Sequence, residues 1–218
     1  MIKFLNKTIT DFIYKKIKKK RIEELKIIPK IKIKRKHTKN SIILPAREDL
    51  LKLLAKKGVI GEIGVDEGLF TEKIINITKP KKMHLIDIYN SKRYGQNKFL
   101  KVKTKFSREI EAGSLEINRS ISINAAKKFK NHYFDWIYID TDHSYSTTIK
   151  ELYAYESKMK PNGIIAGHDY VMGNWAKSLK YGVIEAVAEF CVKKNWKIIY
   201  LTADFTENNS FAIQRINN

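Results

Sequence analysis

Apolar and polar residues follow two different periods along this chain. Short apolar runs at 59–63 and 134–139 predict buried strands, whereas apolar residues spaced three or four apart at 183–192 predict an amphipathic helix. Further strands are expected at 82–87, 114–119, 164–166, 196–202 and 210–215, with helices between most of them. This alternation is typical of an α/β domain with a mostly parallel sheet and helices on both faces.

The last two predicted strands should run in opposite directions. Only residues 203–209 separate strand 196–202 from strand 210–215. A parallel crossover needs roughly a dozen residues or more, so this connection is too short for one. We therefore expect one reversed strand at the end of the sheet.

A glycine turn follows the first buried strand. The segment 59–68 reads VIGEIGVDEG and leads directly into a helical pattern. Gly64 and Gly68 carry no Cβ, which lets the backbone approach a ligand closely. Asp87 ends the next strand about 20 residues beyond the turn, where nucleotide-binding folds place the carboxylate that accepts ribose hydroxyls.

The turn resembles motif I of the class I S-adenosylmethionine-dependent methyltransferases, from which it departs at Asp66. The resemblance implies a Rossmann-like, seven-stranded sheet with an antiparallel last strand and S-adenosylmethionine as cofactor. It implies that Glu62, Gly64, Gly68 and Asp87 bind the cofactor.

The same resemblance assigns cofactor contacts to two later segments. Ile121 and Ser122, just after the third strand, would flank the adenine, although a helix N-cap explains Ser122 equally well. Asp140, after the fourth strand, would lie beside the cofactor as well.

Acids and histidines follow two neighbouring strands. Asp140, Asp142 and His143 come after strand 134–139, and the segment GHDY, with His168 and Asp169, follows the next strand. Adjacent strands lie about 4.8 Å apart, so Asp140 and Asp169 are expected to be close enough to share one cation.

The patterns FDxxxIDxDHSY and PNGIIxGHDY are similar to those of small-molecule and sugar O-methyltransferases, over about residues 45–215. Metal-dependent members hold Mg²⁺ with acids after the fourth and fifth strands. The resemblance therefore implies Asp140 and Asp169 as metal ligands and Asp142 as a ligand or base. His168 stands where those relatives have an acid.

Two schemes for activating a hydroxyl stay open. Magnesium on oxygen ligands would lower the pKa of a bound hydroxyl, whereas without metal His143 or His168 would act as general base. We favour the metal. The alternative without function is that these acids cap turns and His143 bonds to backbone, but two Asp–His pairs at adjacent strand ends favour a functional site.

The formal charge of +20 is concentrated near the N-terminus, where residues 1–40 carry 13 Lys and 2 Arg against 3 acids. Apolar residues up to Leu25 recur at helical spacing, and residues 26–36 alternate like a strand, with Pro29 favouring an edge or a linker. We expect a basic arm at 1–40 and a domain at 41–218. Contact with an anionic membrane, contact with phosphates, and packing on the domain all fit the arm, and we favour packing.

Two aromatic residues after Asp169 have two possible roles. Trp175 and Tyr181 either line the acceptor pocket or pack in the interior.

A cytoplasmic protein is favoured by the single Cys191, by the lack of a bilayer-spanning run and by the lack of a signal core. Membrane association through the arm is left open.

We therefore predict a small-molecule O-methyltransferase acting on a sugar or glycan precursor. The charge suggests a nucleic acid methyltransferase as an alternative. However, the Asn/Asp-Pro-Pro-aromatic motif of base-methylating relatives does not follow the fourth strand, where residues 139–142 read IDTD, so nucleic acid is not the expected partner. A non-catalytic nucleotide- or membrane-binding module is the third interpretation.

Overall fold

The structure, a computed structural model, describes residues 2–26, 28–91, 94–174 and 179–216. Its helices are α1 Ile2–Lys26, α2 Arg47–Leu53, α3 Leu69–Thr78, α4 Gln96–Lys105, α5 Ser107–Glu111, α6 Ser122–Ala126, α7 Tyr145–Glu156 and α8 Val183–Lys194. Its strands are β1 Ile42–Leu44, β2 Val59–Ile63, β3 Lys82–Asp87, β4 Leu115–Arg119, β5 Phe134–Ile139, β6 Met159–Gly167, β7 Gly173–Asn174, β8 Leu179–Lys180, β9 Trp196–Thr202 and β10 Phe211–Arg215.

The predicted α/β fold is confirmed. The main sheet has the order β1-β9-β10-β6-β5-β2-β3-β4, and β10 runs antiparallel to both β6 and β9, as its short connection requires. The sheet has eight strands rather than the expected seven, because the short β1 pairs in parallel with the edge strand β9. Strands β7 and β8 form a separate small hairpin.

The sheet is covered on both faces, which explains its apolar strands. Along β5, Ile137 and Ile139 pack into the core on one face, with α7 and α8, whereas Trp136 and Tyr138 pack into the core on the other, with α2 and α3. Residue Leu54 is extended, so α2 ends at Leu53.

The arm differs from its sequence-based description. Residues 28–34 belong to no strand, contrary to the alternating pattern, yet Ile33 packs against the core. A 3₁₀ turn at Arg35–His37 follows, and the buried His37 places Nδ1 2.7 Å from the carbonyl oxygen of Trp196. The favoured packing of α1 on the domain is wrong, because its apolar residues from Ile9 onward are exposed.

Candidate active site

The glycine turn between β2 and α3 is shaped by contacts within the protein. Gly64 has a φ of +87°, and a Cβ there would lie 1.9 Å from the carbonyl oxygen of Asp140. Gly68 has a φ of +73°, and its Cβ would lie 2.7 Å from the ring of Phe106. The turn therefore packs directly against the residue that follows β5.

Asp87 holds this turn in place. Its Oδ2 accepts hydrogen bonds from the backbone N–H groups of Val65 at 2.9 Å and Asp66 at 3.2 Å, and Oδ1 accepts one from Tyr89 at 3.1 Å. A carboxylate has about four acceptor positions, so capacity for a ribose hydroxyl remains. Asp87 thus lies where the sequence places it and has a structural task in addition to the predicted one.

Glu62, predicted as a cofactor residue, contacts α3 in the interior. It is buried, and its Oε2 accepts a hydrogen bond of 2.5 Å from the Thr71 hydroxyl in α3. Burial raises the pKa of Glu62 to about 8, against the opposing effect of the Thr71 hydrogen bond. Glu62 therefore joins β2 to α3 from the interior.

Helix α4 is attached to the glycine turn by ion pairs. Lys98 pairs with Asp66, and the ammonium of Lys101 lies 3.3 Å from a carboxylate oxygen of Glu67. These pairs are on the surface, so each contributes little to stability, at most about 1 kcal/mol. Together they place α4 beside the turn at the same sheet edge.

The predicted adenine residues lie at this edge too. Ile121 is half exposed and precedes α6, whose first residue is Ser122. The Ser122 carbonyl accepts a hydrogen bond of 3.0 Å from the Tyr155 hydroxyl. Ser122 is therefore not the N-cap, since Ile121 occupies that position.

The structure brings Asp140, His143 and Asp169 together, and we call these three residues the Asp–His cluster. His143 Nδ1 lies 2.9 Å from Asp169 Oδ2 and 4.0 Å from Asp140 Oδ1. One ligand atom from each residue lies within 4.8 Å of the other two. His143, predicted only as a base, thus lies beside the two aspartates predicted as metal ligands.

Backbone contacts fix the cluster. The Asp140 N–H donates to the carbonyl of Ile63 at 2.7 Å, and the Gly182 N–H donates to the carbonyl of His143 at 2.8 Å. His143 and Asp169 have φ values of +61° and +56°, which L-residues rarely adopt. Each turn after a strand therefore directs its side chain to a common point at some conformational cost.

The charges in the cluster oppose one another. Burial raises the pKa of Asp140 to about 6, although the charge of His143 works against this. Burial alone would lower the pKa of His143, but the hydrogen bond and charge of Asp169 raise it overall. The pKa of Asp169 is lowered because His143 outweighs its burial. The proton of the pair therefore resides on His143.

His168 is poorly suited to the role of base. Burial lowers its pKa to about 4, so its imidazole is neutral at physiological pH and holds a proton weakly. Its Nδ1 lies 3.7 Å from Asp140 Oδ2, and its buried Nε2 has no hydrogen-bond partner among the described residues. His168 lies behind the cluster.

Asp142, predicted as a ligand or base, does not join the cluster. Its Oδ1 accepts from the Ser144 N–H at 2.9 Å, and its Oδ2 accepts from the Thr147 hydroxyl at 2.8 Å. These bonds stabilise the start of α7, the task that short acidic side chains perform at helix N-termini.

Two site residues were not identified from the sequence, one at the start of a predicted helix and one in a connection. Arg47 at the start of α2 lies over the Phe70 ring, pairs with Glu207 at 2.7 Å, and its charge opposes the rise in the pKa of Asp140. The amide of Asn208 donates to Asp169 Oδ1 at 2.5 Å. An isolated Arg or Asn at an element boundary gives no periodic signal.

A buried acid behind the site was also missed. Glu151 on α7 is fully buried and accepts a hydrogen bond of 2.9 Å from the Thr141 hydroxyl. Burial raises its pKa to about 7. Its position next to the apolar stripe of α7 is the signal that could have identified it.

Of the two aromatic residues predicted near the acceptor, Tyr181 lies at the site. Its ring centre is 4.9 Å from that of His143. Trp175 lies outside the described residues.

The donor set of the cluster fits a divalent cation. Two carboxylates suit magnesium or manganese, and the imidazole suits zinc or iron, so the mixed set points to a divalent ion without selecting magnesium. Binding would require a neutral His143 and would replace its hydrogen bond to Asp169.

Residues 62–170, half of the chain, match a family model described as "Methyltransferase domain". No curated protein matches. Among solved structures, a protein described as an rRNA methylase from Clostridium thermocellum is 13% identical, with a TM-score of 0.60. The match covers 79% of this chain and 94% of that chain.

Two further structures share the fold. The pyocyanin biosynthetic protein PhzM is 10% identical, with a TM-score of 0.57, and the match covers 78% of this chain and 54% of that chain. The protein SMU.1697c from Streptococcus mutans, described as a methyltransferase in complex with SAH, is 14% identical, with a TM-score of 0.56. That match covers 78% of this chain and 96% of that chain. At these identities the likeness extends to the fold alone.

Proposed function

We propose, from the premise that this chain belongs to the methyltransferase-domain family and is an S-adenosylmethionine-dependent methyltransferase, that it methylates a hydroxyl of a small molecule, a sugar or glycan precursor. One observation carries the proposal. Asp140 packs its backbone against Gly64 of the glycine turn and presents its carboxylate to His143 and Asp169. The cofactor turn and the Asp–His cluster therefore share one residue.

The residues of the turn fit the cofactor. Helix α3 begins after Gly68 with no side-chain cap, so its first N–H groups are available to a polar ligand. Asp87 stands at the end of β3 with acceptor capacity, and Ile121 offers an exposed apolar surface for a flat ring. S-adenosylmethionine supplies a methyl group on a positively charged sulfur.

His143 is the proposed general base. Nδ1 donates to Asp169, which leaves the lone pair on Nε2 to take the proton of the acceptor hydroxyl. The hydroxyl oxygen forms a bond to the methyl carbon while the carbon–sulfur bond breaks, and the electron pair stays on sulfur. Asp169 stabilises the imidazolium that results, and Asp140 positions the acceptor beside the turn.

A divalent cation is the second candidate for the same step. The observation in its favour is that Asp140, His143 and Asp169 present three ligand atoms within 4.8 Å. These residues would hold the ion, which would lower the pKa of a bound hydroxyl. The two schemes use the same three side chains and differ in metal dependence.

The surroundings of the cluster support a small organic acceptor. Exposed apolar side chains follow the carboxyl ends of several strands at this edge, namely Leu69, Ile121, Met172 and Phe205. The cluster itself is acidic, and Lys98 and Lys101 of α4 pair with acids of the turn. These two lysines are therefore already paired with acids of the protein.

RNA is the second candidate acceptor. The net charge of +20 favours a polyanion, and the C. thermocellum protein of the same fold is described as an rRNA methylase. RNA methylation should then depend on the arm and fall steeply with salt.

The proposal is tested by calorimetry and methyl transfer together. Wild type and Asp140→Asn are titrated with S-adenosylmethionine, and transfer of labelled methyl to sugar acceptors is followed with EDTA, Mg²⁺ or Mn²⁺. We expect cofactor binding in both proteins and transfer by wild type alone. Transfer that survives EDTA supports His143 as base, and transfer restored only by metal supports the cation. Absence of cofactor binding by wild type would refute the function.

A further inference from the structure

Helix α1 exposes a stripe of apolar residues that the domain leaves uncovered. Ile9, Ile13 and Ile17 follow one another at four-residue intervals, and Phe12 lies next to them on the same face. Ile9, Ile13 and Phe12 are 51%, 50% and 65% exposed. A helix face with several exposed apolar side chains is typical of a surface that binds another apolar surface.

The opposite face of the helix is basic. Lys15 and Lys18 lie away from the stripe. Lys16 lies among the stripe residues and Lys19 lies next to Phe12, and their long side chains can extend towards a polar surface. All four lysines are exposed. The helix therefore combines an apolar side with a dense positive charge.

The basic surface continues from the helix to the domain. In the extended segment after α1, Lys30, Lys32 and Lys34 are exposed, while Ile31 and Ile33 are half buried towards the domain. In the segment whose alternation resembled a strand, the lysines are therefore exposed to solvent and the isoleucines are half buried.

The arm joins the domain at the sheet edge opposite the Asp–His cluster. Lys36 Nζ donates to Asn195 at 2.8 Å, and His37 contacts Trp196, the first residue of β9. Because β10 is antiparallel to both β9 and β6, β9 runs parallel to β6, so its first residue lies at the amino-terminal edge. The arm is therefore attached away from the methyl-transfer edge.

We propose that α1 lies in the interface of an anionic lipid membrane and attaches the methyltransferase domain to its surface. Phosphate contacts in nucleic acid would use the lysines and leave the apolar stripe exposed. A second copy of α1 would bring like charges together. An anionic bilayer interface matches both faces, because it accepts apolar side chains and attracts lysines.

The helix is suited to lie on a membrane rather than cross one. Among the residues that the structure describes, no helix has both the length and the apolar character that spanning requires. At 25 residues, α1 measures about 37 Å, enough for an extended contact along the surface.

Vesicle sedimentation of the full chain tests this inference, with phosphatidylcholine vesicles compared to mixed phosphatidylcholine and phosphatidylglycerol vesicles. We expect binding to the anionic vesicles only. Ile13→Gln plus Ile17→Gln should weaken binding about fivefold to tenfold for each change. Lys15→Gln plus Lys18→Gln should weaken it about fivefold for each lysine.

Leu53→Gln is the matched control, since Leu53 on α2 is as exposed as Ile13, at 50% each. It should bind vesicles like wild type. S-adenosylmethionine titration of every variant shows that the domain is intact, independently of membrane binding. Equal binding by the Ile13/Ile17 variant and wild type would overturn the inference. The inference would also be overturned if the protein did not bind vesicles and instead dimerised through the stripe, as measured by light scattering. RNA binding without vesicle binding would overturn it as well.

Discussion

The Nδ1 atom of His143 lies 2.9 Å from a carboxylate oxygen of Asp169, although the two residues follow different strands. Each occupies a left-handed backbone conformation in the turn that follows its strand. This pair, with Asp140 beside the glycine turn, is the arrangement from which the proposed chemistry derives.

His143→Gln should lower kcat by about 10²–10⁴-fold, the usual contribution of a general base, while the Kd for S-adenosylmethionine stays unchanged. Steady-state methyl transfer and calorimetry measure the two quantities. His132→Gln serves as control, because His132 is an exposed histidine before the amino end of β5. An unchanged kcat in His143→Gln would exclude this histidine as the base.

The pH dependence of kcat/KM should report the His143–Asp169 pair. A base acts when neutral, and Asp169 raises the pKa of His143, so wild-type activity should increase with pH through a value above the usual 6.5. Asp169→Asn removes the charge and should move this increase to lower pH. Asp204→Asn, which replaces a half-buried acid of the β9–β10 loop, should leave it in place. An Asp169→Asn profile that coincides with wild type would contradict the assignment.

Replacement of Gly64 separates steric contact from backbone conformation. Gly113→Ala places a Cβ at φ +71° with nothing within 4 Å, and should cost about 1–2 kcal/mol for the left-handed conformation alone. Gly64→Ala adds a clash with the carbonyl of Asp140. It should reduce stability further and abolish cofactor binding, measured by thermal unfolding and calorimetry. Equal losses in both variants would show that the Gly64–Asp140 contact is unimportant.

The buried Glu62 should make the protein less stable at high pH. Its pKa is raised to about 8 in the folded state, against 4.5 for the free group. The folded state therefore binds more protons between these values, so the free energy of unfolding decreases as pH rises from about 4.5 to about 8. Glu62→Gln should remove this decrease in the free energy of unfolding, which amounts to a few kcal/mol at about pH 8.

Urea unfolding at pH 5 and pH 8.5 measures the effect. Glu111→Gln is the control, because Glu111 is exposed on α5 and its replacement leaves the interior unchanged. A wild-type stability that is equal at the two pH values would show that Glu62 is not held protonated in the folded state.

Much of this structure could be predicted because its causes are local. Apolar runs fixed β2 and β5, and the short 203–209 connection fixed the reversed β10. Asp140 and Asp169 were predictable as neighbours because both end parallel strands of one sheet. The three-residue strand β1 could not be predicted, because its pairing with β9 depends on a segment that is distant in the sequence.

The roles of individual polar residues depended on backbone geometry that the sequence does not display. Asp142 and His143 are adjacent, yet the φ of +61° at His143 directs one into the cluster, and the other accepts hydrogen bonds from Ser144 and Thr147 at the start of α7. Burial lowers the pKa of His168, and Glu62 contacts α3. Arg47 reaches the site only through the packing of α2 against the sheet.

The identity of the methylated atom tests the central claim most directly. The protein is incubated with labelled S-adenosylmethionine and, in parallel, with nucleotide-linked or free sugars and with total RNA, and the products are resolved by mass spectrometry. We expect the wild-type protein to add one methyl group to a sugar oxygen, and we expect His143→Gln to lose this transfer. A methyl found only on RNA, and unaffected by His143→Gln, would contradict it.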